Sequence, residues 1–322
     1  MAGHSYSEPV TRYNFEEEGY LAANPDVRAA VKAGLLSSGE EHFNGVGFGE
    51  GRFVWKKANI ARAKREKTRR IYADLIRTET VERIREDGLI DCLAPELAAD
   101  AGVVETDAVS SNPYYPEVLD YIAANPDKWI LDAGSGLRQT YYENVVNFEI
   151  VPYDTTDVLG VGEVLPFQDG VFDLVVSIAV LEHVRDPFRC ASELYRVLRP
   201  GGHLFVAVPF LQPFHGYPNH FYNMTSAGVR NLFREPLLHV DQYVPPELKP
   251  LWVPAWFFAL WGAGLPEESR EALKRVTVGE LLEASVADYE KAWVRDLDPA
   301  TANLIASGTI LRADKPSGMT EQ

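Results

Sequence analysis

The chain has 322 residues, of which 46% are hydrophobic and 24% are charged, and its formal net charge is −16 at pH 7. Its length allows one large domain with appendages, and its negative charge excludes a general nucleic-acid-binding surface on that domain. Two cysteines, Cys92 and Cys190, are too few for a disulfide framework, and no apolar signal segment opens the chain. We therefore expect a cytoplasmic protein.

Residues 1–53 predict a small helical module. Asn24 and Pro25 suit the start of a helix over 27–33, and a second short helix is predicted over 38–43. The strings YLAANPDVRAAVKAG and SSGEEHFNGVGFGEGR resemble a small helical module found beside bacterial glycan-processing enzymes. The resemblance implies a docking or spacer element without a catalytic pattern.

Residues 54–110 predict a basic helix and a connecting segment. Apolar residues at helical spacing predict one helix over 54–87. Its first half, 56–70, carries eight lysines and arginines against one glutamate. One interpretation is a solvated face that pairs with the acidic body of the protein. The other is a surface for an anionic membrane or a partner protein.

Residues 111–316 predict an α/β domain, with a tail over 317–322. Strands alternate with helices, which predicts a doubly wound parallel sheet with helices on both faces. The predicted strands lie at 129–132, 148–151, 172–178 and 203–209, with an extended piece at 158–165. The predicted helices lie at 116–124, 141–146 and 187–198. A helical insertion is predicted over 250–306, and 308–316 then predicts a last, antiparallel strand.

The stretch WILDAGSG, residues 129–136, predicts a buried strand that runs into a glycine turn and then into a helix N-terminus. In an open parallel sheet, ligands bind beyond the carboxyl ends of the strands. Glu149 lies 13 residues past Gly136, near the end of the next predicted strand. An acidic side chain there can accept both hydroxyl hydrogens of a ribose, which indicates a nucleoside-containing cofactor.

Further motifs follow in order, namely LPFQDGVFDLVVSIAVLEHV and RVLRPGG. With LDAGSG they resemble a class I methyltransferase that uses S-adenosylmethionine (SAM), of the methyltransferase type 11-like group. A dehydrogenase-type dinucleotide fold would have a third glycine at position 139, where this chain has glutamine. The resemblance implies a seven-stranded, Rossmann-like sheet with an antiparallel last strand, and it implies SAM as the cofactor.

The resemblance also implies which residues hold the cofactor. The implied set is Asp132, Gly134, Ser135, Gly136, Glu149, Gly162, Glu163 and Ala179. Asp132 would anchor the ammonium group of the methionine part, and Ala179 would face the sulfonium. The family often has an Asp where this chain has Val161, so adenine recognition would rest on backbone groups or on Glu163. Arg138 is a candidate for closing over the methionine carboxylate, the alternative being an exposed arginine.

A hydroxyl acceptor must lose its proton during methyl transfer, so a base within hydrogen-bond reach helps. His215 and His220 follow the strand predicted at 203–209, among Tyr and Asn residues. His183 lies in the LEHV turn, where it could instead simply hydrogen-bond the backbone. We favour His220 over His215, because Tyr222 follows it and could orient it. No HxxxH or CxxC spacing occurs, so we expect no metal site.

These patterns predict methyl transfer from SAM to oxygen, with a sugar or glycan hydroxyl as the favoured acceptor. One alternative is O- or N-methylation of a small metabolite, and another is a non-catalytic SAM-binding scaffold in a glycan-assembly complex. The aromatic segment PLWVPAWFFALWGAGL is too short to span a membrane. It predicts a core helix or a dimer contact, with a lid or an interfacial anchor as alternatives. The oligomeric state therefore stays open, with a homodimer as one option.

Overall fold

The computed structural model describes residues 3–103, 109–216, 219–233 and 241–313, except for the side chain of Ala58. The chain divides into two compact units. The first unit spans residues 1–209 and 224–238, and the second spans 210–223 and 239–322. The segment predicted as one methyltransferase domain is therefore shared between the two units.

Strands occur in the described residues of the first unit only. They are β1 (His4–Ser5), β2 (Ser7–Pro9), β3 (Phe53–Trp55), β4 (Arg83–Ile84), β5 (Ile90–Asp91), β6 (Ile130–Ala133), β7 (Thr140–Tyr141), β8 (Val145–Glu149), β9 (Val158–Leu159), β10 (Phe172–Ile178) and β11 (Leu198–Ala207). Seven of them form one sheet in the order β11-β10-β6-β8-β9-β5-β4. All neighbours in this sheet are parallel except β4, which is antiparallel to β5. The predicted doubly wound, seven-stranded sheet is confirmed.

Helices cover both faces of this sheet. Those of the first unit are α1 (Glu17–Ala23), α2 (Pro25–Lys32), α3 (Gly39–His42), α4 (Lys57–Asp74), α5 (Pro95–Ala101), α6 (Pro116–Ala124), α7 (Pro187–Val197) and α8 (Ser226–Leu232). Alternate residues along β6 belong to different hydrophobic clusters, with Leu131 in one and Ile130 in the other. The first cluster contains residues of α4 and α7, and the second contains residues of α6. Strands covered on both faces read as continuous apolar runs, which is why FDLVVSI is buried throughout β10.

The predicted elements at 116–124, 129–132, 172–178 and 187–198 agree with α6, β6, β10 and α7 to within one residue. The helix predicted over 141–146 is wrong, because these residues form β7 and the start of β8. Strand β7 pairs with β1 from the N-terminal arm, and this pairing uses the backbone groups that a helix would need. The strand predicted at 148–151 therefore begins three residues earlier, at Val145.

The antiparallel strand of the sheet also lies elsewhere than expected. Residues 308–313 form no regular secondary structure, and residues 314–316 lie outside the described residues. The antiparallel partner is instead β4, which joins β5 through a turn at Asp87 and Gly88. Gly88 has a φ of +92°, which glycine adopts without steric cost. The single helix predicted over 54–87 is therefore wrong, because α4 stops at Asp74 and the hairpin takes up residues from Arg83 onward.

The inward face of α4 carries two of the predicted surface lysines. Lys64 contacts Asp87 at 3.0 Å, and Lys67 contacts Asp157 at 2.6 Å with both partners buried. The basic run at 56–70 is therefore not one continuous exposed surface. For these two lysines, the predicted pairing with acidic residues of the protein itself is observed.

Helices dominate the second unit. They are α9 (Trp252–Ala263), α10 (Glu267–Leu273), α11 (Val278–Leu282), α12 (Ala292–Arg295) and α13 (Pro299–Leu304). Helix α9 is not the core helix that we expected, because none of its side chains is fully buried and Trp252 is 72% exposed. Among the described residues, no helix combines the length and the apolar character needed to cross a membrane.

Candidate active site

The order of the sheet reverses between β6 and β10, which are neighbours as the third and second strands from the β11 edge. Open α/β sheets bind ligands in the crevice beyond the carboxyl ends of the strands at such a reversal. Two turns flank it here. The glycine turn, residues 134–136, follows β6, and the LEHV turn, residues 179–186, follows β10.

Two glycines shape the glycine turn. Gly134 and Gly136 have φ values of +86° and +59°, in the region that L-residues with a Cβ avoid. A Cβ on Gly134 would collide with the side chain of Val180 in the LEHV turn. A Cβ on Gly136 would collide with the carbonyl oxygen of Ser110. Packing within the protein thus already requires both glycines, besides any close approach of a ligand.

Asp132 ends β6 and is completely buried. Its Oδ2 accepts hydrogen bonds from Arg138 Nε at 2.6 Å and from the Tyr114 hydroxyl at 2.5 Å. Its Oδ1 is buried without a hydrogen-bond partner among the described residues. A buried carboxylate oxygen without a donor costs free energy, so this atom is an acceptor awaiting a ligand.

Arg138 is neither on a helix nor exposed, so the alternative of an exposed helix arginine is wrong. Its side chain is 4% exposed, and its guanidinium lies 4.0 Å from the centre of the Tyr114 ring. Nη1 donates to the carbonyl oxygen of Asn112, and the Arg138 amide donates to the Thr155 hydroxyl at 3.0 Å. Burial lowers the pKa of Arg138, but the charge of Asp132 and the hydrogen bond to it outweigh this effect, so the pKa is raised and the guanidinium stays protonated.

Glu149 ends β8, the strand next to β6. Its Oε2 accepts from the Gly136 amide at 2.7 Å, and its Oε1 accepts from the Ile150 amide at 2.8 Å. Burial raises the pKa of Glu149, and these backbone bonds oppose that rise. Each carboxylate oxygen has two lone pairs, so both oxygens can still accept a ribose hydroxyl.

The predicted adenine side lies in the loop after β9. Val161 is buried, and a Cβ on Gly162 would lie 2.9 Å from Cys190 Sγ, so the backbone passes close to α7 at this point. Glu163 accepts a hydrogen bond from the Arg185 amide at 3.1 Å. Its carboxylate therefore holds the end of the LEHV turn, which weakens the case for Glu163 as the adenine-recognising side chain.

The LEHV turn begins with a strained residue. Ala179 has a φ of +55°, and among the described residues it is the only non-glycine residue with a positive φ. Its amide donates to Ala207 of β11 at 2.9 Å, which fixes this conformation at the end of the central strands. Strained backbone of this kind persists where the surroundings impose it, and it is common at functional sites.

Glu182, in the same turn, is a residue that sequence reasoning missed. It is 0% exposed, and within the described chain neither of its carboxylate oxygens has a hydrogen-bond partner. Its neighbour His183 places Nε2 at 3.8 Å from Oε1, which is too long for a hydrogen bond. Burial raises the pKa of Glu182 to about 7, so its carboxyl exchanges a proton near neutral pH. In the LEHV motif the sequence prediction singled out His183 and not Glu182.

The three predicted histidines lie in different units. His183 is partly buried in the first unit, whereas His215 and His220 belong to the second. The His215 and His220 ring centroids are 4.3 Å apart, so the structure does bring this pair together. Burial, with His215 nearby, lowers the pKa of His220.

Hydrogen bonds define the protonation pattern of the two rings in the second unit. His220 Nδ1 accepts from the His215 amide at 3.2 Å, so its proton lies on Nε2, which donates to the Tyr222 carbonyl at 3.1 Å. His215 Nδ1 donates to the Pro213 carbonyl at 2.8 Å. His220 would have to break a backbone hydrogen bond to act as a base. Tyr222 orients it as expected, although through its carbonyl group.

These features fit a nucleoside cofactor with a charged amino-acid end. Asp132 Oδ1 can accept from an ammonium group, and Glu149 can accept from ribose hydroxyls. Strand β7 follows the glycine turn, so no helix N-terminus stands where a diphosphate would need one. The helix N-terminus predicted after the glycine turn is thus wrong.

The sheet, its reversal point and the glycine turn are those of a doubly wound, Rossmann-like fold. A family model described as "Methyltransferase domain" matches residues 133–206. Residues 133–206 are therefore similar to a methyltransferase domain.

Curated relatives match only part of the chain. An uncharacterized methyltransferase of Mycobacterium sp. (strain KMS) is 46% identical over 57 residues, which cover 17% of this chain and 23% of the relative. Norajmaline N-methyltransferase of Rauvolfia serpentina is 40% identical over 58 residues, which cover 18% of each chain. The chain thus matches less than a quarter of the length of these two relatives.

Solved structures with a similar fold include a SAM-dependent methyltransferase of Thermotoga maritima, at 23% identity and a TM-score of 0.29. That match covers 36% of this chain and 66% of the other. The YcgJ protein of Bacillus subtilis matches at 16% identity with a TM-score of 0.34, and covers 55% of this chain and 88% of the other.

Proposed function

We propose that this chain transfers the methyl group of SAM to a hydroxyl group, with a hydroxyl of a sugar or glycan as the acceptor. The observation that carries the proposal is Glu182, a buried carboxyl without hydrogen bonds that lies in the turn beside the glycine turn. A hydroxyl acceptor has to lose a proton, and a carboxyl whose pKa is about 7 can accept one at neutral pH.

The chemistry divides between cofactor and protein. Bound SAM supplies a methyl group on a positively charged sulfur, which leaves as neutral S-adenosylhomocysteine when the acceptor oxygen takes the methyl. Glu182 receives the proton of the acceptor on one of its carboxylate oxygens. His183, with Nε2 at 3.8 Å from Glu182 Oε1, stabilises the carboxylate before transfer or passes the proton to it. Burial excludes water, which would otherwise compete for the methyl group.

Two features support a sugar acceptor. The N-terminal module resembles modules that accompany bacterial glycan-processing enzymes. The second unit also exposes aromatic rings, among them Phe214, Tyr222 and Trp252, and aromatic planes pack well against the faces of sugar rings. The two buried free cysteines, Cys92 and Cys190, suit a reducing compartment such as the cytoplasm.

Methylation of a small metabolite is the second candidate. One relative that matches part of this chain is named as an N-methyltransferase of the alkaloid norajmaline, which favours an N-acceptor of that kind. Incubation of the protein with SAM and separate panels of oligosaccharides and amine metabolites distinguishes the two. Mass spectrometry should find a gain of one methyl group on a sugar. Methylation of amines alone would support the second candidate, and cofactor binding without any methylated product would favour a scaffold.

Glu182→Gln tests the role of the carboxyl group. We expect kcat to fall about 10²- to 10⁴-fold, with the affinity for S-adenosylhomocysteine unchanged, because general-base catalysis contributes rate factors of that size. The pH–rate profile of the wild type should rise with an apparent pKa near 7, and this limb should disappear in the variant. Glu117→Gln, on the exposed face of α6, is the matched control.

Asn substitutions of His183, His215 and His220 test the remaining candidates one by one. A kcat that is unchanged in Glu182→Gln but lost in one histidine variant would transfer the role of base to that histidine.

A further inference from the structure

The N-terminal arm, residues 4–10, links the small helical module to the segment that follows the glycine turn. Its strand β1 pairs with β7, which begins at Thr140, and its strand β2 pairs with β3. The glycine turn ends at Gly136, so only three residues separate it from β7. The arm therefore adds a strand to the chain directly beyond the candidate cofactor site.

Tyr6 lies at the centre of this contact. It is completely buried, and it belongs to one hydrophobic cluster with Leu137 and Tyr141. Its amide donates to the Gln139 carbonyl at 2.8 Å, and its carbonyl accepts from the Lys56 amide, also at 2.8 Å. Side chain and backbone of Tyr6 thus both hold the segment that follows the glycine turn.

The Tyr6 hydroxyl reaches the same segment by a second path. It donates to Asp154 Oδ2 at 2.5 Å, and the hydroxyl of the next residue, Thr155, accepts from the Arg138 amide at 3.0 Å. The Thr155 carbonyl in turn accepts from the Asn147 side chain at 2.8 Å. Asn147 belongs to β8, the strand that ends at the candidate ribose-binding carboxylate.

The segment after the glycine turn has little support of its own. In the described chain β7 has two residues, and it pairs with β1 and with no other strand. A ladder of that size is at best marginally stable unless it packs against other elements. The Gly136 amide, which donates to Glu149 at 2.7 Å, stands at the start of this segment. A binding site needs such supports to keep its groups within a fraction of an ångström.

We propose that Tyr6 of the N-terminal arm is a positioning residue for the cofactor side of the site. It acts through residues 137–141, and it holds the glycine turn and Glu149 in the geometry that binds the cofactor. The inference rests on the proposed function, because it concerns the same cofactor. It assigns part of the cofactor affinity to a distant part of the sequence that acts without contacting the ligand.

Calorimetry with S-adenosylhomocysteine on the full chain compares two buried tyrosines. Tyr6→Ala should weaken binding at least about fivefold, the lower end of the usual coupling between two sites. Tyr20 provides the matched control, because it is equally buried but belongs to a separate cluster with Val27 and Phe43. Tyr20→Ala should leave the affinity of the folded protein unchanged. Tyr6→Phe keeps the ring and the strand pairing, so it should restore most of the affinity.

Hydrogen exchange of the wild type gives a readout that a purely structural role would not change. Coupling is reciprocal, so saturating S-adenosylhomocysteine should slow exchange of the Tyr6 amide by the factor by which release of the arm weakens binding. The Tyr20 amide donates to the Glu16 carbonyl at 2.8 Å inside the module. It is the control, and its exchange rate should not change.

The other outcomes decide against the proposal. Equal weakening by Tyr6→Ala and Tyr20→Ala, or no weakening by either, would overturn it. Exchange at Tyr6 that the ligand slows no more than exchange at Tyr20 would also overturn it. If Tyr6→Ala does not fold, hydrogen exchange of the wild type decides alone. Wild-type protein that binds no S-adenosylhomocysteine at millimolar concentration would overturn the proposed function, and this inference with it.

Discussion

The two turns that follow β6 and β10 differ in how the acidic groups beside them are hydrogen-bonded. On the glycine-turn side, Asp132 is paired with Arg138, and Glu149 accepts two backbone amides. On the LEHV-turn side, Glu182 is equally buried but has no hydrogen bond from any described residue. Yet the two turns touch, because Gly134 packs against Val180.

We interpret this difference as a division between carboxylates that bind a ligand and a carboxyl that accepts a proton. A carboxylate whose donors are already in place keeps its geometry, which suits the binding of a constant cofactor. A carboxyl without donors has a raised pKa and can gain or lose a proton, which suits an acceptor that has to be deprotonated. The cofactor side of the site is therefore suited to binding a ligand in a fixed geometry. The side of the methyl acceptor is suited to accepting a proton.

The comparison implies that a buried, paired carboxylate destabilises the fold when its partner is removed. Lys67→Met should show the largest such loss of unfolding free energy. Asp157 accepts hydrogen bonds from Lys67 at 2.6 Å and from the Tyr141 hydroxyl. Removal of Lys67 leaves a buried negative charge without its counter-ion, which costs about 3–5 kcal/mol of unfolding free energy. Urea unfolding at pH 7 measures the loss.

Arg65 lies on the exposed face of the same helix and provides the control. Arg65→Met should change the unfolding free energy by no more than about 0.5 kcal/mol. A loss in Lys67→Met as small as that of the control would mean that Asp157 does not need its ion pair, and the contrast with Glu182 would fail.

The unpaired carboxyl should behave in the opposite way, because Glu182→Gln should stabilise the protein at high pH. The pKa of Glu182 is about 7 in the folded protein, against 4.5 for an ordinary glutamate. Between these values the folded state holds the proton and the unfolded state does not, so wild-type stability falls as the pH rises from 4.5 to 7. Below 4.5 both states are protonated, and above 7 neither is.

The fall amounts to about 3 kcal/mol, at 1.36 kcal/mol for each pH unit between the two pKa values. Glu182→Gln lacks this titration. Between pH 4 and pH 8 the unfolding free energy of the variant should therefore fall by about 3 kcal/mol less than that of the wild type. Urea unfolding at several pH values measures the difference. Parallel pH profiles of variant and wild type would show that Glu182 is hydrogen-bonded after all.

The contact between the two turns can be tested through Gly134. In Gly134→Ala the new methyl group collides with Val180 at a φ of +86°, which should cost at least about 2 kcal/mol of unfolding free energy. Gly34 also has a positive φ, +72°, but no atoms lie near its Cβ position, so Gly34→Ala should cost only about 1 kcal/mol. Thermal unfolding compares the two variants.

The double variant Gly134→Ala/Val180→Ala should regain part of the loss, because the smaller side chain makes room. If it does not, backbone strain alone explains the cost. Loss of SAM binding in Gly134→Ala is therefore informative only when the variant is shown to be folded.

The central part of the fold was predictable because its signals are local and mutually consistent. Each local pattern here predicts a single type of element: the apolar runs predict the strands β10 and β6, and the proline predicts the start of α7. The errors lie where a distant segment intervenes. Residues 141–146 form strands because the N-terminal arm pairs with β7. The hairpin of β4 and β5 was signalled by Asp87-Gly88 between Ile84 and Ile90, but the longer helical pattern obscured it.

The places of the candidate site residues at strand ends were predictable, whereas their roles stay predictions. The glycine turn, Glu149 and Ala179 follow from strand ends, which a sequence reveals. The partners of Asp132 could not be predicted, because Tyr114 reaches it from a segment without regular secondary structure. Glu182 was missed because a glutamate in a polar motif looks exposed until its burial is known.

The smallest predicted effect concerns the far end of the LEHV turn. Asp186 caps α7, since its side chain accepts a hydrogen bond from the Arg189 amide at 3.0 Å, and Pro187 occupies the first helical position. Asp186→Ala should lower the unfolding free energy by about 1 kcal/mol, the usual cost of a lost N-cap. Asp127, exposed in the turn after α6, is the control, and Asp127→Ala should change it by less than about 0.5 kcal/mol. Because the cap lies on the acceptor side, Asp186→Ala should leave the affinity for S-adenosylhomocysteine unchanged, and a parallel loss of that affinity would show that the two turns do not act separately.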